Sequence, residues 1–209
     1  MIMPFFASFV IFIIFFSIRN IKNQRIENQY MEAYFKREYE ANQTKKMPLD
    51  QLNYLIIPDS LLSAPNPNGH SDIARLLDEL KALSLLKIVN FTGLTNTDLK
   101  LEYGADNLHT LTQYDLNYTK LSRNLNQLGH LYMTEDLIPL AKEFFHYAID
   151  SGSDIRTTYL DLAIIYQQED NLDAIKNLKE SANQLLNMNK SIISRMLQEF
   201  DPCNDLLDS

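Results

Sequence analysis

The most constraining feature of the sequence is a repetition with a period of 34 residues, which runs from Leu125 to Ala182. In each copy the first matching residues are spaced x, x+3, x+4 and x+7, which is the apolar face of an amphipathic helix. Further apolar residues follow each face and predict a second helix. The residues of the two helices are Leu125, Leu128, Gly129 and Tyr132 with Ala141, Phe145 and Ala148 in the first copy, and Tyr159, Leu162, Ala163 and Tyr166 with Ile175, Leu178 and Ala182 in the second. The pattern therefore predicts two consecutive helical hairpins.

Small side chains at matching positions explain how such hairpins would pack. Gly129 and Ala163 would let a neighbouring helix approach to about 8 Å, the close end of the usual range. Tyr132, Phe145 and Tyr166 would fill the space around them. One hairpin cannot bury its own apolar face, so a stack of hairpins is expected. An ordinary helical bundle, with the 34-residue match arising by chance, is the alternative interpretation.

The motif of the first copy carries a family resemblance. It reads L-x2-L-G-x2-Y from Leu125 to Tyr132 and A-x3-F from Ala141 to Phe145. This resembles the tetratricopeptide pattern, with Leu in the slot that Trp occupies in the family. The resemblance covers about a third of the chain and implies an all-α fold, a TPR-like α-solenoid of helical hairpins. The implied repeats are residues 122–155 and 156–189.

The resemblance also implies a binding surface. In tetratricopeptide proteins a groove is lined by first-helix residues on the side away from the small-residue core. Carried over by position, these residues are Arg123, Asn126, His130 and Met133 in the first copy and Thr157, Leu160, Ile164 and Gln167 in the second. Asn and Arg side chains can hydrogen-bond a peptide backbone or a terminal carboxylate, and the apolar members would accept apolar side chains. Chaperone-binding members carry a set of Lys and Asn at these slots, which only Asn126 and Arg123 suggest here, and Leu160 and Ile164 could instead pack under the preceding helices.

The N-terminal residues 1–18 carry no charge and are rich in Phe and Ile. At about 1.5 Å per residue, a helix of this length just crosses the core of a bilayer. A secretory signal would have a basic residue before the run and a small-residue cleavage site after it. Neither is present, so a retained transmembrane anchor is predicted and a cleaved signal is the alternative.

Basic residues directly after the anchor predict its orientation. Arg19, Lys22 and Arg25 follow the apolar run, and basic residues that flank a membrane segment stay in the cytoplasm. We therefore expect a single-pass membrane protein with a cytoplasmic C-terminal domain. The opposite orientation is the alternative, because large C-terminal domains can translocate regardless of such charges.

Composition and periodicity divide the rest of the chain. Pro, Asn and Gly accumulate between residues 47 and 70, and helical periodicity resumes at Ser71. Residues 71–121 could form an eroded third repeat. The predicted parts are a helical juxtamembrane stalk at 19–46, a linker with an extended segment at 47–70, an α-helical domain at 71–200 and an acidic tail at 201–209.

Local signals predict where individual helices begin and end. Gly104 is expected to stop a short helix, and residues 191–200 predict a last helix where repeat arrays carry a capping element. Side chains that can accept a hydrogen bond from the first helical turn mark the beginnings. The candidate N-caps are Ser71, Thr95, Thr97, Asp136, Asp170 and Asn171.

The sequence contains few residues that could form a catalytic, metal-binding or nucleotide-binding site. Glu143 and His146 form half of a carboxylate di-metal motif, but the second half is missing, so the pair is interpreted as structural. His109 and His130 have no zinc spacing, and Cys203, the only cysteine, lies in the tail. With five glycines and no phosphate-binding loop, a nucleotide cofactor is not expected. The net charge of −8 argues against nucleic acid as a partner.

These observations predict a membrane-tethered adaptor or scaffold without catalytic residues, cofactor or metal. Its partner would be a protein or peptide ligand on the concave face of the repeats. The alternative from another class is a structural subunit of a larger membrane-associated complex, such as secretion or division machinery. An enzyme is a third possibility that lacks a visible site.

Overall fold

The structure, a computed structural model, describes residues 3–186 and 189–200, and the side chains of all of these except 3–11 and 14. This part of the chain is helical and contains no strand, which confirms the predicted all-α fold class. The acidic tail at 201–209 lies outside it. Its α-helices are α1 Met3–Gln43, α2 Asp59–Leu62, α3 Ser71–Ser84, α4 Asn96–Tyr103, α5 Leu108–Thr134, α6 Ile138–Asp150, α7 Arg156–Gln168, α8 Leu172–Asn183 and α9 Asn189–Gln198.

The predicted membrane anchor overlaps the beginning of α1. Residues 1–11 and 14 of the anchor lie outside those whose side chains the structure describes. Among the residues that are described, none of the helices combines the length and the apolar character that crossing a membrane requires. The anchor at 1–18 and its orientation stay predictions.

The chain divides into two compact units. The N-terminal unit consists of Met1–Pro48 and Thr95–Leu108, and the C-terminal unit consists of Leu49–Leu94 and His109–Ser209. Helices α1 and α4 belong to the N-terminal unit. The C-terminal unit contains α2, α3, all of α5 after its first residue, and the hairpins.

Polar contacts join the end of α1 to α4 in the N-terminal unit. Glu38 accepts a hydrogen bond from the Thr97 hydroxyl at 2.7 Å and pairs with the Lys100 ammonium. The Lys100 bond, followed by the Thr97 bond, holds the pKa of the Glu38 carboxyl below its ordinary value. Helix α4 begins with a capping box: the Thr95 hydroxyl accepts from the Asp98 N–H at 3.2 Å, and the Asp98 carboxylate accepts from the Thr95 N–H at 2.8 Å. The predicted N-cap at Thr95 is confirmed.

Gly104 ends α4, as predicted, and the site requires glycine. Its φ is +90°, and an added Cβ would clash with the carbonyl oxygen of Lys45. Two hydrogen bonds hold the chain after α1 at this position. The Met47 N–H donates to the carbonyl of Tyr103 at 2.9 Å, and the Asn107 side chain donates to the carbonyl of Met47 at 2.7 Å.

Two hairpins, α5–α6 and α7–α8, form the body of the C-terminal unit. Helix α7 contacts α6 and α8, and α9 packs on α7 and α8. In the first hairpin the Tyr132 and Phe144 rings stack with their centroids 5.2 Å apart, and a Cβ added to Gly129 would overlap the ring of Phe145. The small residues of both sequence copies are buried, as their packing role requires. They are Gly129, Ala141, Ala148, Ala163 and Ala182.

The two hairpin turns lie 34 residues apart and have matching backbone geometry. Asp136 and Asp170 occupy the left-handed region, with φ of 59° and 54°. In each turn the N–H of the next residue donates to the carbonyl of a tyrosine at the end of the preceding helix. These bonds are Leu137 to Tyr132 and Asn171 to Tyr166, both at 2.9 Å. The sequence period is therefore also a period of backbone structure at these turns.

Three helix starts differ from their predictions. Ser71 is the first residue of α3, after His70, which occupies the N-cap position without a capping side chain. Asp136 does not cap α6, because its positive φ places it inside the turn and Leu137 takes the N-cap position. The last helix begins at Asn189, two residues before the predicted start.

The predicted linker segment contributes to the core. The Leu55 N–H donates to the carbonyl of Ile88 at 3.0 Å, which holds this extended stretch beside the chain that follows α3. Ile57 and Leu61, the latter in α2, are buried in the main hydrophobic cluster. Ile57 and Leu61 pack here because removing their apolar side chains from water stabilises the fold.

Candidate functional site

An open cleft of about 450 Å³ lies between α3, α5 and α7 in the C-terminal unit. Three of the predicted groove residues, Asn126, His130 and Thr157, line it. We call it the α3–α5–α7 cleft. Its other polar side chains include Asp72 and Arg75 of α3 and Asp161 of α7.

Buried hydrogen bonds fix α3 against α5 and so form one wall of the cleft. The side chain of Asn124 is buried on α5 and donates to the carbonyl of Leu76 in α3 at 2.9 Å. About two turns further along α5, the Tyr132 hydroxyl donates to the carbonyl of Pro65 at 2.8 Å. The chain leading into α3 is thus held by the same helix that forms the floor of the cleft.

The side chain of Asn126 connects the floor of the cleft to the beginning of α7. Its amide nitrogen donates to the Thr158 hydroxyl at 3.1 Å, and its amide oxygen accepts from the Thr157 hydroxyl at 3.1 Å. A primary amide has two N–H donors, so one donor of Asn126 is left for another partner. These bonds fix the amide in place before any partner arrives.

His130 and Asp161 form a polar pair across the cleft. The distance between His130 Nδ1 and Asp161 Oδ2 is 2.9 Å. Asp161 is only 8% exposed, whereas His130 is exposed to solvent. The buried carboxylate orients the imidazole and leaves its Nε2 for a second partner. In the part of the chain that the structure describes, no group of three or more His, Cys, Asp or Glu side chains could hold a metal ion.

The remaining predicted groove residues do not line this cleft. Arg123 lies in a separate polar cleft beside α5. Met133 packs half-buried against the core cluster. Leu160 and Ile164 are half-buried, and Gln167 is exposed near the end of α7. The residues of α5 that line the cleft all lie in the C-terminal half of this helix.

Three charged residues of the cleft, Asp72, Arg75 and Asp161, were not predicted from the sequence. Asp161 had a signal, because it is a lone charge in the apolar stretch from Tyr159 to Ile165. The sequence contains no signal that distinguishes Asp72 and Arg75 from ordinary charged residues on a solvent-exposed helix face. Arg75 pairs with Glu79 at 2.7 Å on the surface of α3, and only the packing of α3 on α5 brings it to the cleft.

Comparison with models of protein families, with curated proteins and with solved structures found no match for this chain. The side chains of the α3–α5–α7 cleft and the sequence pattern are therefore the grounds on which a function can be inferred.

Proposed function

We propose that the protein is a membrane-tethered, TPR-like adaptor that binds an extended segment of a partner protein in the α3–α5–α7 cleft. The observation that carries this proposal is the cleft itself, in which amide, hydroxyl and charged side chains from three helices meet. A binding role without catalysis fits a sequence that contains no recognisable nucleophile or cofactor motif.

The polar groups of the cleft suit a peptide backbone. An extended peptide presents alternating N–H and C=O groups, which need both acceptors and donors. Asn126 keeps one amide donor, and Gln127 adds an exposed amide on the same helix. Arg75 and Asp72 at the α3 wall can pair with charged side chains of either sign.

The TPR-like assignment is supported by sequence and by the local geometry of the turns. The 34-residue period, the buried small residues and the matching turns at Asp136 and Asp170 agree with a helical-hairpin repeat. Stacking such hairpins creates extended concave surfaces. Helix α9, which packs on α7 and α8, takes the place of a terminal capping element.

The tether is supported by residues 1–18, which contain no charge, and by the basic residues that follow them. Confinement at a membrane raises the effective concentration of the adaptor for partners on the same surface. The proposed location is therefore the membrane, with the C-terminal domain in the cytoplasm.

The test is a quantitative pull-down with the full-length protein in detergent. Wild type is compared with Asn126→Ala, which removes the amide of the cleft, and with Asn177→Ala, which removes an exposed amide on α8. We expect a partner that wild type and Asn177→Ala retain and that Asn126→Ala loses. If the retained proteins are the same for all three, the adaptor function is wrong.

A second candidate, a structural subunit of a larger membrane-associated complex, is favoured by the surface of α1. Tyr30 is 74% exposed, Tyr39 67% and Phe35 60%, which is unusual for aromatic side chains on one helix. A permanent neighbour would cover them. Size-exclusion of the solubilised protein distinguishes the two functions, because a free monomer supports the adaptor and obligate co-migration with other proteins supports the subunit.

A further inference from the structure

The beginning of α1 is basic, although the chain as a whole is acidic. Residues 1–26 contain three basic residues, Arg19, Lys22 and Arg25, and no Asp or Glu, whereas the whole chain has 27 acidic and 19 basic residues. We call residues 19–25 the basic segment. An anionic surface would attract this segment and repel the remainder of the chain, which has an excess of acidic residues.

The three basic side chains are exposed along one side of a continuous helix. They are spaced three residues apart within α1, which runs from Met3 to Gln43, so they follow one another along the helix surface. All three are exposed, and within the described residues none of them takes part in an ion pair. No acidic residue lies three or four positions from any of them, so the helix itself offers them no partner.

The basic residues further along α1 have acidic neighbours. Lys36 has Glu32 four positions before it and Glu40 four positions after it. Arg37 forms an ion pair with Asp98 of α4, in the same compact unit. The charges of the basic segment are therefore available to an external anion, whereas those at the end of α1 are compensated within the protein.

The position of the basic segment matches the headgroup layer of a bilayer. The apolar stretch before it ends at Ile18, and Phe15, Phe16 and Ile18 are each 61–65% exposed. At about 1.5 Å per residue, the basic segment extends about 11 Å beyond Ile18, and Glu27, the first acidic residue, lies about 14 Å beyond it. A headgroup layer is about 5–8 Å thick. Side chains of an α-helix tilt toward its N-terminus, which here is the side of the apolar stretch, so long Lys and Arg side chains can reach that layer.

We propose that the basic segment binds the phosphate groups of anionic phospholipids in the leaflet through which α1 leaves the membrane. This inference rests on the membrane tether proposed above. Lys and Arg side chains close to an anionic leaflet are attracted to it, and a guanidinium group can donate two hydrogen bonds to one phosphate. The anchor would thereby concentrate the adaptor in regions of the membrane that are rich in anionic lipid.

The test measures which lipids contact the full-length protein in phosphatidylcholine vesicles. Spin-labelled phosphatidylglycerol and spin-labelled phosphatidylcholine are compared by electron paramagnetic resonance, because lipid beside a membrane-spanning helix gives a motionally restricted signal. At low salt we expect the association constant of phosphatidylglycerol to exceed that of phosphatidylcholine on the order of fivefold. In about 1 M salt the preference should fall, because salt screens the charges.

Two variants that each lose three positive charges show whether the basic segment carries this preference. The test variant should show nearly equal association of the two lipids, and it combines Arg19→Gln, Lys22→Gln and Arg25→Gln. The control variant should keep the wild-type preference, because its exposed lysines lie further from the apolar stretch, and it combines Lys36→Gln, Lys45→Gln and Lys46→Gln. Circular dichroism checks that both variants keep the helical content of wild type.

Two outcomes would overturn the lipid site and leave the tether in place. They are equal association of the two lipids with wild type, and the same loss of preference in both variants. If neither lipid gives a restricted signal with wild type, the tether is wrong and the lipid site fails with it. If the test variant does not enter vesicles, Arg25→Gln alone decides the result, and an unchanged preference would overturn the site. The pull-down that tests the cleft changes Asn126 instead.

Discussion

The two hairpins have the same turns but differ where their helices cross. In the first hairpin Gly129 faces the fully buried ring of Phe145, which leaves no room for a Cβ. Thirty-four residues later the corresponding positions are Ala163 and Lys179. The second hairpin thus has no aromatic residue at the position of Phe145, and it carries a methyl group at the position of Gly129. The two positions change together, which a family consensus alone would not predict.

The corresponding tyrosines of the two hairpins also differ in their bonds. The Tyr132 hydroxyl donates to the backbone carbonyl of Pro65, in the chain before α3. The Tyr166 hydroxyl lies 2.7 Å from His146 Nε2, on the second helix of the first hairpin. Each tyrosine hydroxyl therefore contacts a part of the chain that precedes its own hairpin. Of the two contacts, only the second involves a histidine, whose charge changes with pH.

The largest effect on stability is expected when the Phe145 ring of the first hairpin is removed. Phe145→Ala should lower the free energy of unfolding by about 3–5 kcal/mol, because it opens a cavity at a fully buried position. Lys179→Ala, at the matching position of the second hairpin, should lower it by less, because no buried aromatic ring is removed there. Urea unfolding followed by circular dichroism measures both. Equal losses would mean that the two crossings pack alike and that the comparison is wrong.

The second prediction concerns Gly129, which lies against the Phe145 ring. Gly129→Ala should destabilise the protein by about 1–2 kcal/mol, because overpacking against Phe145 outweighs the gain in helix propensity. The cost should fall when Phe145→Leu is introduced in the same chain, which a double-mutant cycle measures. A rise in melting temperature for Gly129→Ala alone would show that the ring moves aside freely.

The third prediction concerns the turns, where the two hairpins are most alike. Asn171 caps α8 by accepting from the Ala174 N–H at 3.1 Å, whereas Leu137 at the matching position of the first turn offers no capping side chain. Asn171→Ala should therefore cost about 1 kcal/mol. Asn177→Ala, in the middle of the same helix, is the control and should cost nothing, since alanine favours a helix interior. An equal cost at both positions would exclude a capping effect.

The helical hairpins could be predicted because their apolar faces repeat at helical spacing and their small residues recur at equal intervals. The start of the second helix in the first hairpin could not, because an aspartate before a helix usually indicates an N-cap. The sequence did contain a signal against that interpretation. Asp136 and Asp170 match across the 34-residue period, while the actual cap of the second hairpin is the following residue, Asn171.

The candidate site was predictable only on the repeat helices. Asn126, His130 and Thr157 were carried over by position from the tetratricopeptide resemblance, and these three line the cleft on α5 and α7. The α3 wall depends on a tertiary contact, the bond from the Asn124 side chain to the carbonyl of Leu76. Periodicity shows that α3 is amphipathic, but it does not show which helix covers its apolar face.

The contact between His146 of the first hairpin and Tyr166 of the second is expected to weaken in acid, whereas the bond from Tyr132 to the carbonyl of Pro65 is not. Burial lowers the pKa of His146, while the charge of Asp150 raises it and that of Lys142 lowers it. A group whose pKa is lower in the folded state stabilises that state above its unfolded pKa, about 6.5, and loses this contribution as the pH falls. Protonation of Nε2 also removes the acceptor that the Tyr166 hydroxyl uses.

The smallest predicted effect follows from this contact. The melting temperature of wild type should fall between pH 7 and pH 5 by more than that of His146→Gln, which has no group that titrates in this range. His109→Gln, which replaces an exposed histidine near the start of α5, is the control and should keep the wild-type dependence. Because the Tyr132 hydroxyl of the first hairpin binds a backbone carbonyl, Tyr132→Phe should lower stability equally at both pH values. If His146→Gln shows the same fall as wild type, the acid sensitivity comes from other carboxylates or histidines, and the two tyrosine contacts do not differ in their response to pH.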